Sequence, residues 1–449
     1  MPILAATYPR PLSLRPILLV CLALSVVLTC VLANLPFVVI AVAVMTTLIL
    51  LVGDKSLGAL FLGGTCVHAT FSYLSLTTVG VIGGNVDSNI SAFALDAYKV
   101  YFFGIVAMLV AYGATSERKF DGPAIALRLQ RMDRLTLWFA IAGGLLLAYV
   151  LHQIGFVQMI LSGTFSRYFG EEQTGSSYML YQSLLRRGLA ALMVTIPIAL
   201  LRWQQTRSKR LLMAAAVGIL LMLCTTRRGY LAIAILSFVI TNAIMGRHRK
   251  LILVTILGLA IAFFSLQAVF VSIQSDTNSL LANTAFVLRS ASTEVNDLAW
   301  VLSEFNGHWY LGATWLAALW PLPATLSTFK DSYNLASVTK DVAGIPRDAE
   351  TGGLRISMFG EAFLNFGYFG VVGLGLIFGV FVRKINALLA WAKFRGPLIL
   401  FPCVFLYLVA VCQFYLSGTG VLSDAILSCL VLAAIYWLSM QRKERPVAQ

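Results

Sequence analysis

Apolar residues run along this chain in about twelve continuous stretches, most of them near the ~20 residues that a helix needs to cross a bilayer. The stretches cover 16–34, 36–53, 57–80, 98–115, 135–153, 179–201, 211–225, 230–245, 251–271, 357–382, 397–416 and 421–439. Their continuity predicts helices. A transmembrane β-barrel would alternate apolar and polar residues instead. The seventh and eighth stretches are short and share the turn Thr225-Thr226-Arg227-Arg228-Gly229, so they read as two short spans or a re-entrant pair. The expected fold is all-α: one polytopic membrane domain over 1–449.

The polar residues between these stretches set the orientation. Arg118, Lys119, Arg128, Arg131 and Arg134 follow the fourth stretch. Arg202, Arg207, Lys209 and Arg210 follow the sixth, and Arg247, Arg249 and Lys250 follow the eighth. Arg383, Lys384, Lys393 and Arg395 follow the tenth, and Arg442, Lys443 and Arg445 the twelfth. All five are even-numbered boundaries. By the positive-inside rule they are cytoplasmic, with both termini inside.

Two outer loops are then substantial, 153–178 and 272–356. The early part of the second, from Ala285 to Phe305, has helical spacing, with Val287, Ala291, Leu298 and Val301 as its apolar stripe. An aromatic stretch follows, with Trp309, Tyr310, Trp315 and Trp320 ahead of Pro321 and Pro323; it predicts an interfacial helix stopped by proline. The remainder, to Gly353, is polar and reads as loop.

Composition agrees. The chain is 59% hydrophobic and 12% charged, against about 25% charged residues in a soluble domain. The net charge of +14 sits largely in the clusters flanking the stretches, so it calls for no nucleic-acid partner. The seven cysteines form no Cys-x-x-Cys pair and none lies in the long loop, which argues against a disulfide-stapled ectodomain and a zinc site. The first stretch has no convincing cleavage site and reads as a retained helix. No P-loop or dinucleotide fingerprint occurs, and no His/Asp/Glu group has metal-ligand spacing.

The chemistry-bearing residues on the outer side are mostly arginines. Arg186 and Arg187 lie in the sixth stretch, Arg227 and Arg228 at the tight turn, Arg167 in the first outer loop, and Arg289, Arg347 and Arg355 in the second. Arginine in or beside a span is costly, and its planar fork suits phosphate. The bland reading is snorkelling to headgroups or pairing with carboxylates. Glu361 reads as a salt-bridge partner or a general base, and His308 as an interfacial residue or a base for a sugar hydroxyl. His68 and His152 are isolated.

The Thr-Arg-Arg-Gly turn before an apolar span, the arginine-bearing long loop, the Trp315–Pro323 stretch and Gly352-Gly353…Phe359-Gly360-Glu361-Ala362-Phe363-Leu364-Asn365-Phe366-Gly367 together resemble the O-antigen polymerase (Wzy-type) family of oligosaccharide repeat-unit polymerases. The topology is similar over nearly the whole chain. The resemblance implies a GT-C-like membrane glycosyltransferase of a bacterial inner membrane with a periplasmic active site. Its expected partners are undecaprenyl-pyrophosphate-linked oligosaccharides as donor and acceptor, the lipid bilayer, and a chain-length regulator. It implies inversion at the anomeric carbon and no metal, nucleotide or other cofactor. By local match, Arg187, Arg228 and Arg289 carry over from the family, and Arg355 in a register that the loop leaves open. The expectation is that Arg187, Arg228 and Arg289 converge on one outer cavity. The related O-antigen ligases share the architecture and carry a loop histidine, which His308 imitates. A transporter or flippase is the non-enzymatic reading; the lack of a visible repeat and the outer placement of charge count against it.

Overall fold

A computed structural model of the chain describes residues 37–52, 56–83, 88–116, 126–155, 176–225, 228–246, 294–318, 327–346 and 354–440. Among them every named element is helical, and the one β-type contact is an isolated bridge between Leu127 and Met440. The helices are α1 (Phe37–Val52), α2 (Leu57–Gly83), α3 (Ala94–Ala114), α4 (Leu129–Gln153), α5 (Ser176–Thr206), α6 (Lys209–Leu223) and α7 (Arg228–Ile244). They continue with α8 (Glu294–Glu304), α9 (Ala313–Ala318), α10 (Ser327–Tyr333), α11 (Leu335–Val342), α12 (Ser357–Lys393), α13 (Pro397–Leu406) and α14 (Leu422–Ser439). A π-helical turn, Tyr407–Gln413, prolongs α13.

Seven helices among the described residues are long and apolar enough to cross a membrane, and Gly229–Ile244 is a shorter apolar helix. Their outer faces carry Leu60, Val67, Trp138, Leu145, Ile377 and Trp437 in the open. Large apolar side chains facing outward from spanning helices suit lipid, not water. The protein is a multi-pass membrane protein. The predicted first and ninth stretches, 16–34 and 251–271, lie outside the described residues.

Side-chain contacts sort the helix ends into two groups. Arg202 binds Asp133 through Nε and Nη2, the latter at 2.8 Å, tying the end of α5 to the start of α4. The Arg128 N–H donates to the Ser439 carbonyl at 2.7 Å, and Tyr436 Oη to the Leu398 carbonyl at 2.6 Å. Arg383 lies 4.7 Å over the Tyr112 ring. These pairs gather Arg128, Arg202 and Arg383 at one end of the bundle. At the other end α7 meets α14, where Tyr230 donates to Asp424. Thus α6 starts beside Arg207 at the basic end and α7 starts at the opposite end. They are two short antiparallel helices.

Among the described residues the interior has two apolar cores. One gathers α1, α2, α3, α8, α11 and α12. The other gathers α4 to α7 with α14. Helix α13, Pro-Leu-Ile-Leu-Phe-Pro-Cys-Val-Phe-Leu, is apolar all round and forms the shared wall: Leu400 and Val404 face the first core, Phe401 and Phe405 the second.

Helices α3 and α12 run parallel, since Gly104 meets Gly375, Met108 meets Gly379 and Tyr112 meets Arg383 in the same order along both. The approach is so close that a Cβ on Gly379 would collide with the Met108 carbonyl. Small residues permit such backbone contact between membrane helices.

The predicted tenth span, 357–382, is corrected. The structure breaks α12 at Phe366 and Gly367, the latter at φ +60°. A Cβ on Gly370 would lie 2.5 Å from the carbonyl oxygen of Ala362; eight residues of straight helix would separate them by about 12 Å. The chain therefore folds back. Residues 357–365 form a short leg rising to the bend, and the span proper descends from 368 to 393. A bent leg leaves helix-end carbonyls unpaired, and the long loop supplies their donors. Tyr310 N–H reaches the Leu364 carbonyl and Leu311 N–H the Asn365 carbonyl, both at 3.1 Å. Asn365 Oδ1 accepts from Gly312 N–H at 2.8 Å.

The long loop is also corrected in its later part, which reads as loop in the sequence but forms α10 and α11. Asn334 caps α11, accepting from Ser337 N–H at 2.9 Å, and Leu335, Val338 and Thr339 are buried. Earlier, Leu298 and Val301 of the predicted stripe are fully buried in α8 beside Val295, while Val287 and Ala291 lie outside the described residues. Trp315 of the predicted interfacial helix packs on Phe366 at the bend, in the short helix α9.

Candidate functional site

The end of the bundle opposite the basic clusters collects three polar groups. The first centres on Asp424, in the first turn of α14. One of its oxygens accepts the Tyr230 hydroxyl from α7. The other faces Arg186 Nε of α5 at 3.8 Å. Arg186 and Arg187 are exposed. Arg228 is the first residue of α7, two positions before Tyr230. The start of α7 thus stands beside Asp424, and the first amide N–H groups of a helix carry partial positive charge.

The second group centres on Glu361, fully buried in the short leg of α12. Thr314 Oγ1 of α9 donates to its Oε1 at 2.8 Å, and Thr419 donates through both its hydroxyl, to Oε1, and its N–H, to Oε2 at 2.8 Å. Asn365 Nδ2 donates to Thr314 Oγ1 at 2.7 Å and to the Glu361 carbonyl at 2.9 Å. One carboxylate thereby holds the long loop, the folded-back leg and the hairpin turn before α14. Gly418 fits because it has no side chain: it sits at φ +55°, and a Cβ there would be 2.5 Å from Glu361 Oε2.

The third group joins α8 to the bundle. Glu294 is buried, with Oε2 3.3 Å from His68 Nε2 of α2. Ser72 Oγ accepts from Val295 N–H at 3.1 Å, and Asp297 Oδ2 accepts from Arg355 N–H at 2.8 Å. Burial raises both acids, Asp297 to about 6; the Arg355 N–H and charge only partly offset this at Asp297, and His68 does so first at Glu294.

The expected site residues therefore divide. Arg186 stands with the start of α7 at Asp424, and Arg187, the next residue of α5, is exposed with no contact to Asp424 among the described residues. Arg355 belongs to the separate acidic group, with its side chain exposed. Glu361 pairs with threonines; no arginine binds it among the described residues, and both of its oxygens are occupied. His308 is exposed, edge-on to Tyr310 at 5.4 Å, with its N–H on Asn306 Oδ1. Arg167, Arg227, Arg289 and Arg347 lie outside the described residues, as does the side chain of Arg228, so the expected convergence on Arg289 does too. Among the described residues no three His, Cys, Asp or Glu side chains group as metal ligands.

The sequence reading missed Asp424, Tyr230, Thr314, Thr419 and Asn365. Asp424 carried one signal: it is an acid near the start of an apolar stretch, where charge is costly. Its partner Tyr230 is 194 positions away. No family model matches the chain, and neither a curated protein nor a solved structure matches it.

Proposed function

We propose that the protein is an oligosaccharide repeat-unit polymerase of the O-antigen type, a metal-independent glycosyltransferase of the bacterial inner membrane. The observation that carries the reading is the exposed Arg186 and the start of α7 at Asp424, at the end of the bundle remote from the basic clusters. In this reading the basic end is cytoplasmic and the arginine end periplasmic.

A lipid-linked pyrophosphate enters from the outer leaflet. Exposed guanidinium groups and the first amides of α7 receive it, because both donate to phosphate oxygens. The sugar–phosphate bond breaks as a hydroxyl of the acceptor's terminal sugar attacks the anomeric carbon from the opposite face. The departing pyrophosphate gathers negative charge, so pre-placed cations stabilise the transition state more than the ground state. Glu361, with both oxygens engaged, acts here by fixing the long loop and the α12 leg.

The test is glycan banding from cells lacking the protein. Lipid A carrying a single repeat unit supports the polymerase. Free lipid-linked polymer instead supports the second reading, an O-antigen ligase, which the exposed His308 on the long loop favours. Unchanged banding refutes both.

A further inference from the structure

We infer that Asp424 is the positioning residue of the arginine site: it holds Arg186 by one edge and leaves the rest of its fork free for an anion. The inference rests on the reading of this end as a pyrophosphate site, but its core is the coupling between Asp424 and Arg186.

Asp424 is held from below and from the side. Its helix begins directly after the turn Gly418–Val421, and that turn is fixed to Glu361 through both donors of Thr419. Ser428 Oγ donates to the Asp424 carbonyl at 2.8 Å, closing the first turn of α14. The carboxylate is then divided. Oδ2 accepts the Tyr230 hydroxyl, while Oδ1 faces Arg186 Nε at 3.8 Å and, among the described residues, no other group. The Asp424 side chain is 12% exposed and that of Arg186 is 46% exposed.

A surface arginine left to itself pairs with a carboxylate through two parallel N–H donors. Here Tyr230 keeps the carboxylate from turning to meet the guanidinium. The Asp424 contact is an ion pair beyond hydrogen-bond range, and Arg186 makes no side-chain hydrogen bond among the described residues. None of the described residues occupies its Nη groups, and the Asp424 charge biases the long side chain toward one position. Confinement matters because ordering a rotamer-rich side chain at the moment of binding costs about two- to tenfold in affinity.

Asp424 also has a negative charge, which opposes an incoming anion. A carboxylate that acted mainly as a competitor would occupy the guanidinium fully, through two short contacts. One long contact and a second oxygen given to a tyrosine are the geometry of a mount.

The test follows Arg186 directly. The full chain in detergent is treated with phenylglyoxal, which modifies accessible arginines, and the rate at each arginine is read by mass spectrometry. Asp424→Asn keeps the shape and an acceptor for Tyr230 but loses the charge, so the Arg186 rate rises severalfold and the Arg187 rate holds. Tyr230→Phe frees Oδ2, the carboxylate closes on Arg186, and the rate falls. A misfolded variant would raise the rate in both, so opposite signs support the coupling. An Arg186 rate that is unchanged in Asp424→Asn, or raised in Tyr230→Phe, overturns it.

A second measurement uses inorganic pyrophosphate to protect Arg186. The positioning role requires a protecting concentration about two- to tenfold higher in Asp424→Asn than in the wild type. A lower concentration makes Asp424 a competitor and overturns the positioning role. Failure of pyrophosphate to protect the wild type, with the two opposite rate changes still present, defeats the pyrophosphate reading and leaves the coupling of Asp424 to Arg186 supported.

Discussion

Glu361 offers the sharpest energetic test of the architecture. Its carboxylate accepts from the Thr314 hydroxyl, the Thr419 hydroxyl and the Thr419 N–H, with no solvent exposure. Hydrogen bonds to a charged group contribute about 1.5–3 kcal/mol each, and a buried donor stripped of its acceptor costs about 1–3 kcal/mol. In Glu361→Gln the amide oxygen keeps both hydroxyl donors. The amide nitrogen, however, now faces the Thr419 N–H, donor against donor. One charged bond is lost and one buried N–H is stranded. Relief of the buried negative charge opposes this loss, because a carboxylate without a cation partner is costly to bury. We expect a net loss of about 1–3 kcal/mol, because the wild-type carboxylate has all three donors in place.

Glu361→Ala removes all three acceptors and leaves a cavity, a change of about 3 kcal/mol or more. At roughly 2 °C per kcal/mol, the low end for large domains, the Gln variant melts about 2–6 °C below wild type and the Ala variant further below. The assay is the apparent melting temperature of the purified full chain, read as loss of the monodisperse chromatographic peak. Gly418→Ala should match the Ala variant, because its Cβ would strike Glu361 Oε2 and the position holds φ +55°. If Glu361→Gln melts with the wild type yet makes no polymer, the carboxylate belongs to the chemistry and the staple argument is wrong.

Three further outcomes follow from other parts of the molecule. Gly379→Val drives a side chain into the Met108 carbonyl and should destabilise by about 1–3 kcal/mol, whereas Gly373→Ala, with open space around it, should melt as wild type. Asp297 is held at about 6, against an ordinary 3.8, and Glu294 is raised as well. The docked helix therefore binds protons more tightly than the undocked one, and docking weakens as pH rises through about 4 to 6. Hydrogen exchange, corrected for intrinsic rates, should show α8 better protected at about pH 5 than at about pH 7.5, and equal protection would refute the assignment. If the proposed polymerase reading holds, Arg228→Ala should abolish polymer in cells while the protein still inserts, since losing a charged partner of a bound anion costs about 2–5 kcal/mol; Arg228→Lys should retain part of the activity, and full-length polymer from the Ala variant would make this arginine a headgroup anchor.

The features legible in the sequence are those written locally. Apolar runs mark the helices because each side chain answers only to its own position in the bilayer. The basic clusters mark one end for the same reason, and Leu298 and Val301 disclose α8 through i, i+3 spacing. The fold-back of α12 is hidden because its two legs are both largely apolar: apart from Glu361, the stretch from Met358 to Val382 carries no charge, and only Asn365-Phe366-Gly367 hints at a bend. What makes the bend stable lies elsewhere, in the amides of Tyr310 and Leu311, some 54 positions earlier. The same separation conceals the polar groups. Glu361 reads as an arginine partner because arginines are the plentiful opposite charge on that side. The structure satisfies it instead with Thr314 and Thr419, neutral residues that sequence patterns do not flag. Helix α11 was more accessible: Asn334 ahead of Leu335 and Val338 is a capping residue before an apolar stripe, overshadowed by the polarity of its neighbours. Asp424 joins the two kinds of feature. Its rank as a costly charge in an apolar stretch is local and readable. Its direction, toward Tyr230 and Arg186, depends on how α5, α7 and α14 pack in the second core, and no local pattern records that packing.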